Sequence, residues 1–413
     1  METRRVVITG LGAITPLGNT AGEFWEGVTA GRSGVGLTQV FDTSKLPTRM
    51  AAEVKDFNPD QLFGRRDARR MDRYAQMALA AAREAIADAK LPEDPDVRDR
   101  TGAIVATGIG GIITIEDTTF EIGPKQAWDR VSPFFVPMLM GNAASAQISM
   151  NYGLRGPVFA VSSACASAND AFCVAFDKIV LGEALAIVTG GSEAAVIPTA
   201  MGGFASMKAM STRNDDPTHA SRPFDKGRDG FVLAEGAAAL VLERADAAKA
   251  RGARVHARLA GAGGTADGYD LVAPHPEGEG AARAIGAALR DAGLSPTDIG
   301  HVNAHATSTP VGDTAEAAAI RSSLGEHVMV SATKGQTGHL LGAAGALESV
   351  FTVLALREQI VPATANLDDP DDDAAVQSLD IVRNEPRRAT FSAAVNDSFG
   401  FGGHNIALVF TTA

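Results

Sequence analysis

The chain has 413 residues, 45% of them hydrophobic and 21% charged, and a formal net charge of −12. This composition excludes a disordered chain, a collagen-like repeat and a small disulfide scaffold, and the length sets a prior of roughly three domains. The acidic balance and the 6% aromatic content argue against nucleic acid as the main partner.

The opening run Val6-Val7-Ile8-Thr9 reads as a strand at once, without the pattern of a secretory leader. Thr9-Gly10-Leu11-Gly12 looks like half a dinucleotide fingerprint, but the third glycine is missing and Pro16 follows. No nicotinamide cofactor is expected there. Arg65, Arg66, Arg69, Arg70 and Arg73 crowd into nine residues. Arg66, Arg69, Arg70 and Arg73 are expected to share one helix side, suited to phosphate groups or an acidic protein.

An alanine-rich helix is expected over 71–89, then strands over 102–107 and 158–161. A helix over 166–180 and strands over 185–189 and 238–242 follow. After a short helix at 245–250 come a strand at 255–259, helices at 281–292 and 313–324, and a strand at 328–332. The pattern ends with a helix at 345–357 and strands at 391–395 and 406–410. This alternation is α/β grammar. The six aspartates of 366–380 predict an exposed loop. Asp229-Gly230-Phe231 leads into one hydrophobic strand and Phe399-Gly400-Phe401-Gly402-Gly403 into another. That echo suggests two similar halves, 1–254 and 255–413, sharing one core. No run of about 18 apolar residues predicts a membrane span. Two cysteines only eight apart, Cys165 and Cys173, fit a reducing compartment.

Cys165 directly follows the strand at 158–161 and precedes an alanine-rich helix. A helix N-terminus favours a thiolate, which suits a covalent nucleophile; the plain alternative is a small buried side chain. Cys173, two turns on, is expected in the core or a pocket wall. His305 and His339 each sit where a strand ends in small, polar or glycine-rich sequence, with Lys334 close by. Separations of 140 and 34 residues along the chain are not those of a zinc knuckle, and no metal is expected. Glu348 interrupts an apolar helix start. It is read either as an anchor for Lys334 or as a first-turn acid facing solvent.

Taken together, these residues resemble the β-ketoacyl-acyl-carrier-protein synthases, condensing enzymes of the thiolase-like superfamily, in their elongating type II form. The resemblance runs from Val6 to Asn405. It is carried by the ordered set Ser163-Ala164-Cys165-Ala166, Ser221-Arg222-Pro223-Phe224-Asp225, Arg228-Asp229-Gly230-Phe231, the runs around His305, Lys334 and His339, and Ser398-Phe399-Gly400-Phe401-Gly402-Gly403. It implies a five-layer α-β-α-β-α fold of two pseudo-duplicated halves. The first half would hold the nucleophile and an inserted cap, the second both catalytic histidines.

The same resemblance implies an acyltransferase of fatty-acid biosynthesis that forms a carbon–carbon bond by decarboxylative Claisen condensation. Cys165 would carry the acyl chain, His305 and His339 would complete a triad, and Lys334 and Glu348 would support it. The amides of Cys165 and Phe401 would form an oxyanion hole. Phe401 and Phe399 would gate the site, Ile109 and Phe204 would wall the acyl pocket, and Thr307 and Thr309 would contact the phosphopantetheine arm. Arg65, Arg66, Arg69, Arg70, Lys208 and Arg213 would dock an acidic carrier protein. A homodimer, or a heterodimer with a paralogue, is implied, in the cytoplasm, with no cofactor beyond the arm the carrier protein brings.

Three positions depart from the family pattern. Ala306 stands where glycine is common, Gly335 where serine is common, and Asp397 where asparagine is common. Some relatives hold a structural cation near positions matching Asn303, Glu348, Asn396 and Asp397. Thiolases need a second cysteine in the second half, where this chain has none. Acetyl-CoA-using initiators carry Cys-His-Asn, and chain-length factors lack the cysteine. The remaining alternative is the ketosynthase subunit of a dissociated (type II) polyketide synthase.

Overall fold

Residues 5–413 are described by the computed structural model. The β-branched runs pair into one sheet of eleven strands. The first half supplies β1 (Val6–Ile14), β2 (Thr101–Ala106), β3 (Val158–Phe159), β4 (Ala186–Glu193) and β5 (Gly236–Arg244). The second supplies β6 (Ala257–Ala266), β7 (His301–Asn303), β8 (Met329–Ser331), β9 (Asp380–Ile381), β10 (Ala393–Gly400) and β11 (His404–Thr411). Five helices complete the frame: α1 (Arg73–Ala89), α2 (Ser167–Val180), α3 (Glu279–Ala292), α4 (Pro310–Leu324) and α5 (Ala344–Glu358).

The strand order is β9-β8-β7-β10-β11-β6-β1-β5-β4-β2-β3. Read outward from its centre, β1-β5-β4-β2-β3 recurs as β6-β11-β10-β7-β8, with β9 added at one edge. The duplication expected from the sequence is therefore a repeat of topology. The halves meet where β1 and β6 pair antiparallel, from Val6 opposite Leu259 to Ile8 opposite Ala257.

Helix α1 covers the outer face of the first half and α3 that of the second, while α2 and α5 lie between the two halves of the sheet. That is the five-layer arrangement. Gly10 and Gly12 in β1 are contact points for α1, because a Cβ on either would overlap the carbonyl oxygens of Ala85 and Ala81. In β6, Gly261 and Gly263 do the same for Ala288 and Ala284 of α3. Glycine on the strand and alanine on the helix bring backbones together that larger side chains would hold apart. Helix α5 is buried from Ala344 to Leu356, so its sequence is apolar on every side apart from Glu348, Ser349 and Thr352.

Several expectations need correction. Strands β1, β4, β5, β6 and β10 run longer than their β-branched cores suggest, because the glycine, alanine and polar residues at their ends still pair. The arginine run does not form one helix side. A short helix, Arg65–Ala68, ends there, Asp72 caps α1, and Arg73 turns inward to a two-pronged pair with Glu235 at 2.7 and 2.6 Å. The aspartate-rich segment is exposed but tethered. The Asp225 carboxylate accepts from the amides of Asp368 and Asp369, and Arg228 pairs with Asp371 at 2.6 Å.

Candidate active site

Cys165 ends a tight turn just before α2. Its neighbour Ala164 has φ +52°, the left-handed region that L-residues seldom adopt. The turn is held by Ser167, whose hydroxyl accepts from the Ser163 amide and donates to the Ala164 carbonyl, at 2.8 and 2.6 Å. Gly400, at the end of β10, packs on the other side. A Cβ there would sit 2.8 Å from the Ser163 oxygen and 3.1 Å from the Cys165 nitrogen. That approach brings the Phe401 amide to the Cys165 sulfur. Burial pushes the thiol up to about 12, while the charge on Lys334 and the Phe401 amide pull it down. Desolvation of the buried thiol thus opposes the nearby positive charge and the helix N-terminus.

His339 Nε2 lies 3.0 Å from Cys165 Sγ. Its backbone is fixed in an extended contact, donating to the Val232 carbonyl at 2.7 Å and accepting from the Ala234 amide at 3.0 Å. Phe231 packs edge-on against the ring, 5.3 Å between centroids. His305 stands 5.4 Å from His339, centroid to centroid, and nearly perpendicular to it. Burial and the adjacent Lys334 charge hold both imidazoles far below their usual range, so both are neutral. Lys334 Nζ is 3.3 Å from His305 Nδ1 and 2.5 Å from its carbonyl oxygen. An ammonium only donates, so Nδ1 is the acceptor and the ring proton sits on Nε2. Lys334 also binds Glu348 Oε1. Glu348, on α5, is 2% exposed and is pushed up to about 7 by burial against the pull of Lys334. Its exposed first-turn reading fails; it is the partner of Lys334.

Cys165, His305, His339, Phe399, Phe401, Phe204, Thr307, Thr309 and Lys208 line one cavity of about 340 Å³. The Thr307 and Thr309 hydroxyls are 3.1 Å apart. Phe399 stacks edgewise on His305 at 5.9 Å, and Phe204 on Phe231 at 5.4 Å. Gly402 and Gly403, with φ +87° and +72°, make the turn behind Phe401 that other residues enter only with strain. Ile109 is 40% exposed and lies outside this cavity's lining. Arg65, Arg66 and Arg69 are exposed, Arg70 stacks on Phe134 at 4.7 Å, and Arg213 donates to the Gly227 carbonyl at 3.0 Å.

Three carboxylates escaped the sequence reading. Glu316 accepts from the amides of His305 and Ala306, both at 2.6 Å. Asp313 accepts from the amides of Ser308 and Phe224 at 3.0 and 2.8 Å. They shape the loop that presents His305, and their signal was there: two acids three residues apart early in a helix whose preceding loop holds a histidine. Glu193 is the third. Asp397 is fully buried with neither carboxylate oxygen partnered, and Asn303 Oδ1, Asn396 Oδ1 and Glu348 Oε2 are also unpartnered. Burial and the nearby Glu316 and Glu348 push Asp397 well above the usual carboxylate range.

A cysteine and two histidines meet at one cavity, with the Lys334–Glu348 pair buried against His305. Residues 3–248 match the β-ketoacyl synthase N-terminal domain and residues 256–368 the β-ketoacyl synthase C-terminal domain. The chain belongs to the β-ketoacyl synthase family. It is 46% identical to a 3-oxoacyl-[acyl-carrier-protein] synthase 2 of Synechocystis sp., covering 99% of this chain and 98% of that one. Among solved structures, the ishigamide ketosynthase/chain length factor superposes with TM-score 0.93 at 34% identity, covering 100% of both chains. A type II polyketide acyl-carrier protein in complex with its ketosynthase, bound to the hexaketide, superposes with TM-score 0.91 at 31% identity, again over 100% of both. Among the described residues, no helix is long and apolar enough to cross a membrane.

Proposed function

We propose that this β-ketoacyl synthase elongates acyl chains carried as thioesters on acyl carrier protein, in fatty-acid synthesis. The observation that carries it is the Cys165–His339 contact at 3.0 Å beside a His305 whose proton is fixed on Nε2.

In the first half-reaction Cys165 Sγ bonds to the acyl carbon. The thiol proton moves to His339 Nε2, and the oxyanion meets the amides of Cys165 and Phe401. Collapse breaks the bond to the carrier's sulfur, which leaves with the proton that His339 returns. In the second, the thioester carbonyl of malonyl carrier protein accepts from Nε2–H of both histidines. The bond to the carboxylate breaks, carbon dioxide departs, and its electron pair becomes the enolate. The enolate carbon attacks the acyl-cysteine, forming the new carbon–carbon bond and expelling the Cys165 thiolate, which takes one proton from solvent. His305 serves only as donor, because Lys334 occupies its Nδ1. His339 Nδ1 has no partner, so its ring is free to accept in one half-reaction and donate in the other.

Thr307 and Thr309 contact the phosphopantetheine arm, and Phe399 and Phe401 gate the cavity. Phe204 walls the acyl chain, whereas Ile109, expected beside it, lies outside the cavity. The carrier is acidic, and Arg65, Arg66, Arg69, Arg70 and Lys208, with Arg213, form its landing face despite the net −12. The enzyme needs no resident cofactor and works in the cytoplasm as a homodimer. The exposed Phe120, Trp128, Val136 and Met150 support that pairing.

The 46% identity to a fatty-acid type synthase, against 31 and 34% to the polyketide systems, favours elongation over the type II polyketide alternative. The test is incubation with acyl- and malonyl-carrier protein, with products read by mass spectrometry. A β-ketoacyl product two carbons longer, lost in Cys165→Ala, is expected; condensation that survives Cys165→Ala, or no acyl adduct on the wild-type enzyme, would overturn the reading.

A further inference from the structure

The run Ser221-Arg222-Pro223-Phe224-Asp225 has no part in the chemistry assigned above, yet all five residues are buried. Three other segments meet on it. The Ser221 hydroxyl donates to the Lys334 carbonyl at 2.6 Å. The Arg222 amide donates to the Ser308 hydroxyl at 2.9 Å, and the Phe224 amide to Asp313 Oδ2 at 2.8 Å. Asp225 takes the Arg222 guanidinium at 2.7 Å and the amides of Asp368 and Asp369 at 3.0 and 2.9 Å. The backbone is held against its own preference: Phe224 has φ +64°, which a bulky residue takes only where its surroundings dictate it.

These contacts bear on one distance. Lys334 opens a short helix, Lys334–Thr337, after β8, and His305 lies in the loop after β7. The two strands pair as far as Asn303 opposite Ser331. Beyond that point Ser221 holds the lysine helix by its first carbonyl, and the next residue, Arg222, holds the histidine loop by Ser308. Two consecutive residues of the first half thus span the Lys334–His305 contact, 3.3 Å from Nζ to Nδ1, on which the place of the His305 proton depends. Asn366 braces the same joint, with its side-chain amide donating to the carbonyls of Ser221 and Gly335 at 2.8 and 3.4 Å.

His339 and the threonines are anchored separately. The His339 backbone pairs with Val232 and Ala234, and Gly338, at φ +67°, breaks the helix before it. The amides of Ser308 and Thr309 are held by Asp313 Oδ1 at 3.0 and 3.3 Å. A shift of the Lys334 helix therefore leaves the partner of Cys165 and the loop of Thr307 and Thr309 in place.

We propose that Ser221 is a positioning residue for the second half-reaction, which fixes the Lys334 helix against the His305 loop and so keeps the His305 proton on Nε2. This rests on the function proposed above, in which His305 donates while carbon dioxide leaves.

The experiment follows the two half-reactions apart: adduct mass on Cys165 with acyl carrier protein, and carbon dioxide release from malonyl carrier protein. Ser221→Ala removes the hydroxyl but leaves the Lys334 carbonyl its helical partner, the Gly338 amide at 3.1 Å. In this variant kcat for carbon dioxide release is expected to fall on the order of tenfold at an unchanged KM, while loading falls by less than about twofold. Asn366→Gly keeps the left-handed backbone of that position, φ +63°, and removes the brace; it is expected to give the same split at smaller size. A folded Ser221→Ala enzyme with equal losses in both half-reactions, with the loss confined to KM, or with unchanged carbon dioxide release overturns the proposal. Should Ser221→Ala not fold, equal losses or no loss in Asn366→Gly overturns it. Absence of adduct or of carbon dioxide release in the wild-type enzyme would instead strike the function itself, so the two failures are distinguishable.

Discussion

Replacing Lys334 by methionine tests the buried pair directly. The side chains of Lys334 and Glu348 are 1 and 2% exposed. Without the ammonium, Glu348 keeps only the Thr333 hydroxyl at 3.3 Å, and its Oε2 has no partner at all. Stranding a buried charge in this way costs about 3–5 kcal/mol. The loss should depend on pH with a definite sign. Burial already raises Glu348 to about 7 from its ordinary 4.5, and Lys334 opposes that rise, so removing Lys334 raises it further. A carboxyl raised on folding holds a proton that the unfolded chain has lost, so stability falls as pH climbs from the unfolded to the folded value. The Glu348 contribution should level off near pH 7 in the wild type and keep falling in the variant, by up to about 1.4 kcal/mol per pH unit. Denaturant unfolding at pH 7 and 8.5 should show the gap between the two proteins widening by about 2 kcal/mol. The double variant Lys334→Met/Glu348→Met should recover most of the loss and show no such widening. A gap equal at both pH values, or a double variant no better than the single one, would refute the reasoning.

Gly400→Ala should lower acyl loading by about ten- to a hundredfold, because the new methyl displaces the Cys165 turn; a loading rate within twofold of wild type would show that the approach of Gly400 is not needed. Gly335→Ser places a Cβ 2.7 Å from the Ala365 carbonyl oxygen and should cost about 1–3 kcal/mol of stability in thermal melts, although serine is common there in the family. His305→Phe should slow decarboxylation of malonyl carrier protein by roughly a hundredfold or more, while adduct formation on Cys165, measured separately, stays within about tenfold.

The elements that could be read from the sequence were those whose pattern is set locally. Alanine-rich α1 and α3, apolar α5 and the long central strands follow from periodicity alone. The edge strand β9 pairs over only two residues, too few for alternation to show. Cys165, His305 and His339 stood out because reactive residue types at strand ends are rare. Glu193, Asp313 and Glu316 did not, because nothing in an acidic residue's neighbours along the chain reveals that it will be buried against amides elsewhere. The surroundings of Cys165 are legible only in part: its helix N-terminus is visible in sequence, but the closure of β10 and the His339 segment over it is not. The arginine run misled in the opposite sense, since Asp72 caps a new helix and sends Arg73 to Glu235.

The duplication explains why one cysteine suffices. Helices α2 and α5 occupy the same layer, one contributed by each half, and each is preceded by a loop that carries chemistry. Before α2 that loop holds Cys165; before α5 it holds Lys334 and His339. Both cysteines of the chain lie in the first half, and the matching loop of the second half presents an imidazole 3.0 Å from the thiol. Here the carbanion arises by loss of carbon dioxide, which needs hydrogen-bond donors at the thioester oxygen and no strong base. In the proposed function, two buried, neutral histidines, one with its proton held in place by Lys334, would supply that donor pair.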